Sequence, residues 1–150
     1  VHYIAPPFEQ VVNMLAGLQS FFDVTQGQPS IMRAAVLSFA FVYIHPLADG
    51  NGRVHRFLVN DLLYRDGILS EPMILPISSA ISDSTQHRRD YDKILDTVSK
   101  PLMAKLIGEY QFETTQIFED GIKSNLHLGN VDNALPIWRF LDLRAHRVFR

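Results

Sequence analysis

Between His45 and Arg56 the chain reads His45-Pro46-Leu47-Ala48-Asp49-Gly50-Asn51-Gly52-Arg53-Val54-His55-Arg56. This stretch holds a base, a hard-oxygen ligand, a glycine-flanked turn and a pair of guanidiniums. His45 can take a proton near neutral pH, because an unperturbed imidazole has a pKa of about 6.5. Asp49 offers the kind of carboxylate oxygen that Mg²⁺ takes alongside substrate phosphates. Gly50 and Gly52 permit conformations closed to other residues and let a ligand approach the backbone. A glycine-flanked turn that opens a helix aims several N–H groups outward at the positive end of the helix dipole, which suits phosphate. Arg53 and Arg56, one turn apart, suit a polyphosphate better than a single phosphate. Each residue also has a plain structural use. His45 could satisfy a carbonyl at a helix end, Asp49 and the glycines could make a turn, Asn51 could be only a cap, and the arginines could be surface groups. Their combination points to phosphate chemistry, but residue types alone leave open which phosphorus is attacked.

Two helices must hold these groups in place. Upstream, Ser30 to Ile44 reads as a helix with Arg33 its only charge; apolar all round, it is expected to be the central buried helix. Pro46 lacks an N–H and disfavours helical geometry at His45, so that helix ends at the histidine. Downstream, Asn51 is a favoured N-cap for a helix beginning at Gly52 and running to about Arg65, with Gly67 as its C-terminal glycine. At roughly 100° per residue, Arg53, Arg56, Asn60 and Tyr64 share one stripe, while His55 falls on the opposite side and is excluded from the site.

The segment His45 to Arg56 resembles the Fic motif, HPFx(D/E)GN(G/K)Rxx(R), of the Fic/Doc superfamily. The one departure is Leu47, where the family usually has Phe; that position anchors the loop in the apolar core, and Leu keeps it apolar. Tyr3-Ile4-Ala5-Pro6-Pro7 is similar to the family's proline-rich entry, and Pro6 to about Leu106 resembles a Fic core. The resemblance implies a mainly α fold, a Fic-type helical bundle around two central helices joined by the motif loop. It implies transfer of AMP from the co-substrate ATP to a Tyr, Thr or Ser hydroxyl of a target protein, with release of pyrophosphate. Carried over by position, His45 would deprotonate the attacking hydroxyl and Asp49 would hold Mg²⁺. Gly50, Asn51 and Gly52 would line the anion hole, and Arg53 and Arg56 would hold the outer phosphates. Gly52 stands where the family's kinase-like branch carries Lys, which favours nucleotidyl transfer. Two alternatives stay open. One is different chemistry at the same nest, such as removal of AMP from a protein or another nucleotidyl or phosphoryl transfer. The other is a non-catalytic nucleotide-binding docking module.

Proteins of this family often carry an inhibitory helix with the pattern (S/T)xxxE(G/N), whose Glu would pair with Arg56. The nearest match, Thr115-Gln116-Ile117-Phe118-Glu119-Asp120, misses the last position and falls in a predicted hairpin. Such a helix is therefore expected outside this chain or on a partner. The family's target-aligning flap precedes the Pro-Pro segment, so Val1 to Ile4 is expected to be only its last strand, with the flap truncated.

The remainder of the 150 residues fits an ordinary globular chain, with 47% apolar and 20% charged residues. A net charge of −2 gives no broad basic surface for nucleic acid. The absence of cysteine excludes disulfides, zinc-thiolate sites and a cysteine nucleophile. The longest nearly apolar run, Ala34 to Ile44, is too short to span a bilayer, and a cytoplasmic setting is expected. Pro6-Pro7 opens a helix through about Phe22, with Phe8, Val11, Val12, Leu15, Leu18 and Phe22 on its apolar face. Short helices are expected at about 78–82, 85–98 and 101–107. In the second of these, Tyr91 could stack on a nucleobase or pack with Ile94, Leu95 and Val98. After Gly108 the spacing alternates, and Asp120-Gly121 predicts a β-hairpin between Tyr110 and Leu128. Asn133 is expected to cap a last helix from Ala134 that runs to the final residue. The expected organisation is a catalytic core over 1–108, with the hairpin and helix of 109–150 appended to the same domain.

Overall fold

Three helices carry the motif loop in the computed structural model, which describes residues 2–70, 73–119 and 121–140. Helix α1 (Phe8–Val24) starts after Pro7, whose carbonyl accepts the Gln10 N–H at 2.9 Å. Helix α2 spans Ser30–Ile44 and helix α3 spans Asn51–Arg65. Gly67, at φ 72°, ends α3: its N–H donates to the Tyr64 carbonyl and that of Ile68 to the Leu63 carbonyl, both at 3.0 Å. This is the paired closure that a left-handed glycine makes possible after a helix.

The core these helices share is built from Ala34 and Leu37 of α2 and Leu62 and Leu63 of α3, with Leu18, Phe22, Leu58, Val59, Leu69 and Leu75 packed against it. Burying each such leucine contributes about 1.5–3 kcal/mol. Two expectations are corrected here. Helix α2 is not buried all round: it packs chiefly on α3 and α1, and Ile31 and Met32 are exposed. In α1 the buried stripe narrows to Val11, Leu15, Leu18 and Phe22, all half-buried, while Phe8 and Val12 face outward.

Arg33, the one charge in α2, is 2% exposed. Its guanidinium donates to Asp66 Oδ2 at 2.5 Å, to the Phe22 carbonyl at 3.0 Å and to Thr25 Oγ1 at 3.1 Å, and it lies 5.1 Å from the centre of the Phe22 ring. One side chain thus ties the end of α1 to the end of α3. That hydrogen bond holds the Asp66 carboxyl below the usual carboxylate range.

Helices α4 (Ile77–Ser82) and α5 (Thr85–Lys105) follow, the latter opened by Ser84 Oγ, which accepts the Gln86 N–H at 3.2 Å. The expected break at Pro101 does not occur, and α5 runs through it. Pro101 removes the N–H that the Thr97 carbonyl would have received. Thr97 and Pro101 are both exposed, so water can serve that carbonyl, while Val98, Leu102 and Leu106, four residues apart, are buried together.

By packing, the chain divides inside α5, between Lys93 and Ile94, into one unit of Ala5–Lys93 and another that joins the residues before Ala5 to those from Ile94 onward. The change from helical to alternating pattern comes later, at Gly108. The second unit holds the hairpin of β1 (Tyr110–Ile117) and β2 (Lys123–Leu128), antiparallel, with Phe112 opposite Leu126 and Gln116 opposite Ser124 and an irregularity between. The nearest match to the inhibitory pattern lies on β1 and the turn after it, not in a helix; its last residue, Asp120, is outside the described residues. Helix α6 (Leu135–Arg139) is capped by Ala134 without the side-chain cap expected of Asn133, and it ends at Arg139 with Phe140 outside helical geometry, not at the final residue; residues 141–150 lie outside the described residues. Trp138 is buried and donates its Nε1–H to the Ile4 carbonyl at 3.1 Å.

Candidate active site

His45 closes α2 in the left-handed conformation, with φ 53° and ψ 52°, and its backbone N–H donates to the Phe41 carbonyl at 3.1 Å. The ring is exposed and its Nδ1 lies 3.2 Å from the Val42 carbonyl. A carbonyl can only accept, so this contact places the proton on Nδ1 and leaves the Nε2 lone pair for a substrate proton. The structural use and the chemical one are therefore compatible: satisfying a carbonyl fixes the ring and leaves Nε2 able to accept a proton.

The loop that follows is held by Asn51. Its side-chain Oδ1 accepts the Leu47 N–H at 3.0 Å and its Nδ2 donates to the Leu47 carbonyl at 2.5 Å. Asn51 is 3% exposed, so neither bond competes freely with water. This corrects its expected role as N-cap. The cap is Gly50, at φ 91°, whose carbonyl accepts the N–H groups of Arg53 and Val54 at 2.9 and 3.0 Å. The Asn51 amide turns back across the loop because two backbone groups of Leu47 wait there. Leu47 is corrected too: it is 42% exposed, so its backbone, not its side chain, anchors the loop.

The structure brings Asp49 and Arg53 directly together, with Arg53 Nη2 donating to Asp49 Oδ2 at 2.9 Å. Both side chains are largely exposed, 91% for Asp49 and 73% for Arg53, and an ion pair so placed contributes little. A cation at Asp49 and a phosphate at Arg53 can replace it at small cost. No group of three or more His, Cys, Asp or Glu able to hold a metal occurs among the described residues. Asp49 fits Mg²⁺ in the manner of an ion that takes one carboxylate and fills its shell with phosphate oxygens and water.

Both guanidiniums lie over bare glycine. A side chain added at Gly50 would meet Arg53 Nη2 at 3.5 Å, and one added at Gly52 would meet Arg56 Nη1 at 3.5 Å. The positive charges thus gather where α3 opens and where the N–H groups of Asn51 and Gly52 have no preceding turn to bond. Arg53 and Arg56 share a cavity of about 340 Å³ with Phe57 and Asn60 of α3 and with residues 74–78. Arg53, Arg56 and Asn60 line it together, as their stripe predicts, while Tyr64 is not among its lining residues. His45 is not among them either; it stands at the far end of the loop.

Two neighbours of Arg56 carry shifted ionisations. The Tyr91 phenol is half-buried and is pushed up by that burial, with Arg56 pulling the other way. His55 is half-buried and its Nδ1 lies 2.9 Å from the Gly52 carbonyl. Burial lowers the His55 imidazole, the Gly52 carbonyl opposes this, and Arg56 lowers it further. The folded protein thus resists protonating His55 where the unfolded chain accepts a proton. Stability should be complete above the unfolded imidazole value of 6.5 and fall as the pH drops below it, levelling once the lower folded value is passed. Thermal unfolding at pH 7 and pH 5 should show this loss, and the His55→Gln variant should show less of it.

Spacing alone puts Asn60 on the cavity stripe, and its role comes only from the fold. The one available signal was an amide in the middle of a helix, where it is intrinsically disfavoured.

The fold places a histidine at the end of one helix and two arginines at the opening of the next, on either side of a glycine loop. Residues 1–63 match the model of the Fic/DOC family. The protein adenylyltransferase fic-1 of Caenorhabditis briggsae is 36% identical over 78 residues, covering 51% of this chain and 15% of the relative. The protein of the same name in Caenorhabditis elegans is 43% identical over 49 residues, 33% of this chain and 9% of the relative. The protein adenylyltransferase Fic of Drosophila melanogaster is 49% identical over 43 residues, 29% of this chain and 8% of the relative. The chain therefore spans less than a sixth of the length of these relatives. No solved structure matches it. Among the described residues, no helix is long and apolar enough to cross a membrane.

Proposed function

We propose that this chain transfers AMP from ATP to a Tyr, Thr or Ser hydroxyl of a target protein and releases pyrophosphate. The observation that carries the reading is the pair Arg53 and Arg56 in one cavity at the opening of α3, with Asn51 clasping that opening to the loop behind His45. The names of the relatives support it.

In the proposed step the hydroxyl oxygen bonds to the α-phosphorus and the bond from that phosphorus to the bridging oxygen breaks. Pyrophosphate leaves with the electron pair, and the hydroxyl proton passes to His45 Nε2. Arg53 and Arg56 hold the outer phosphates through their forked donors. The backbone N–H groups of Asn51 and Gly52, in the first turn of α3, would face the charge that builds on the phosphoryl oxygens, whereas the Gly50 N–H donates to Asp49 Oδ1 at 2.6 Å and would have to be released to join them. Asp49 would hold Mg²⁺ together with the triphosphate; when bound, the ion neutralises phosphate charge. The Asn51 side chain takes no part in this, since both of its polar atoms are committed to Leu47.

Two further elements belong to the same proposal. An acidic residue on an inhibitory helix, supplied from outside this chain or by a partner, pairs with Arg56 and blocks productive ATP binding. The setting is cytoplasmic.

The test is label position. ATP labelled in the adenine should mark a target protein when Mg²⁺ is present, and ATP labelled only at the γ-phosphate should not. Marking by the γ-label alone would replace this reading with phosphoryl transfer.

A further inference from the structure

We propose that Asn60 is a positioning residue that sets the width of the Arg53–Arg56 cavity by tethering residues 73–76 to α3. The inference rests on the reading of that cavity as a triphosphate site.

Residues 73–76 have no regular secondary structure, yet Ile74, Leu75 and Pro76 form part of the cavity wall that faces the arginines. Leu75 secures this segment in two ways. Its side chain packs on the core of α2 and α3, and its backbone N–H donates to Asn60 Oδ1 at 2.7 Å. The other end of the Asn60 amide donates from Nδ2 to the Arg56 carbonyl at 2.9 Å. Both partners are backbone groups of fixed character, a donor and an acceptor, so the orientation of the amide is settled. Asn60 is thereby bonded at once to the residue bearing the second guanidinium and to the wall opposite it. Met73, Ile74 and Pro76 on either side of Leu75 are exposed, and the backbone bonds that join the segment to α4 are local ones, from the Ile77 N–H to the Leu75 carbonyl at 2.8 Å and from the Ala80 N–H to the Pro76 carbonyl at 3.0 Å, which do not reach α3. An asparagine in a helix interior is unfavourable unless its side chain is used, and here both of its polar ends are used.

The tether acts on ligand geometry more than on the core. Without it, the Leu75 side chain still holds the segment to the helices, but the backbone on either side can swing away from Arg56. A phosphate between the guanidinium and that wall then loses its fixed position.

The test compares the Asn60→Leu variant, of similar volume but without polar atoms, with the wild type at a temperature where both are folded. Two quantities are read: hydrogen exchange at the Leu75 amide, and the Kd for ATP with Mg²⁺ by calorimetric titration. The expected result is rapid exchange at Leu75 together with about tenfold weaker ATP binding, the loss expected when one restraint on a preorganised site is released. A freed Leu75 amide with ATP affinity unchanged within about twofold would leave Asn60 a purely structural residue and overturn the proposal. A Leu75 amide still protected in the variant would overturn it as well. Should Asn60→Leu not fold, Asn60→Ser carries the same two readouts; its hydroxyl can bond the Arg56 carbonyl but cannot reach Leu75. ATP that binds the wild type without any transfer would sink the AMP-transfer reading and leave this one standing, whereas a wild type that binds no ATP overturns both.

Discussion

Replacement of His45 should lower AMP transfer by about 10²–10⁴-fold, the usual contribution of a positioned general base, with ATP affinity nearly unchanged. The expected split follows from the geometry. His45 is not among the residues lining the cavity that holds Arg53 and Arg56, so its loss should not disturb the phosphates. Its Nδ1 contact with the Val42 carbonyl orients Nε2 for proton transfer and serves no phosphate-binding purpose. The choice of variant matters, because His45 sits at φ 53°. Alanine in the left-handed region costs about 1–2 kcal/mol, whereas asparagine visits it readily. His45→Asn therefore separates the chemical loss from backbone strain, and His45→Ala should show the same rate loss with somewhat lower stability. Single-turnover rates and ATP titrations on both variants check this. A His45→Asn protein that transfers AMP at the wild-type rate would remove the imidazole from the mechanism.

The largest expected effect on stability is at Arg33. Replacing it with methionine keeps much of the apolar stem but withdraws every bond that the guanidinium makes to Asp66, Thr25 and Phe22. Breaking a buried ion pair from one side costs about 3–5 kcal/mol, because the remaining charge is left uncompensated. Asp66 keeps some contact with solvent, with 20% of its side chain exposed, which places the expected loss near the lower end of that range. The double variant Arg33→Met with Asp66→Asn should recover part of it by removing the orphaned charge. Urea denaturation of the two singles and the double measures the coupling. The same pair gives an acid limb. With the Asp66 carboxyl held down in the folded state, its contribution is present above the unfolded value of 3.8 and is lost as the pH falls through the lower folded value.

Arg56 is half-buried, lies over Gly52 and lines the cavity, so on the proposed reading a carboxylate that reaches it would compete with an outer phosphate.

Much of the site was legible because its signals are local. Pro46 ends α2 whatever surrounds it, Gly67 ends α3 by its own conformational freedom, and the spacing of Arg53, Arg56 and Asn60 places them on one stripe without knowledge of a neighbour. The hairpin was legible for the same reason, from alternation and a glycine turn. Where the sequence misled, a local preference lost to a partner it could not see. Asn51 has the chemistry of a cap, but the Leu47 backbone offers it two bonds at once, and Gly50 can cap with its carbonyl alone. Pro101 disfavours a helix locally, but Val98, Leu102 and Leu106 bury one continuous face across it.

By itself, then, the sequence determined the identity and order of the chemical groups and the helices that bear them, since these depend on neighbours a few residues away. Only the tertiary structure decided which groups meet. It paired Asp49 with Arg53, tied Arg33 to Asp66, turned Leu47 outward and joined Asn60 to Leu75. Periodicity says which side of a helix a residue faces. What waits on that side is settled by packing between segments far apart in the chain, where several polar partners compete for the same few donors and acceptors.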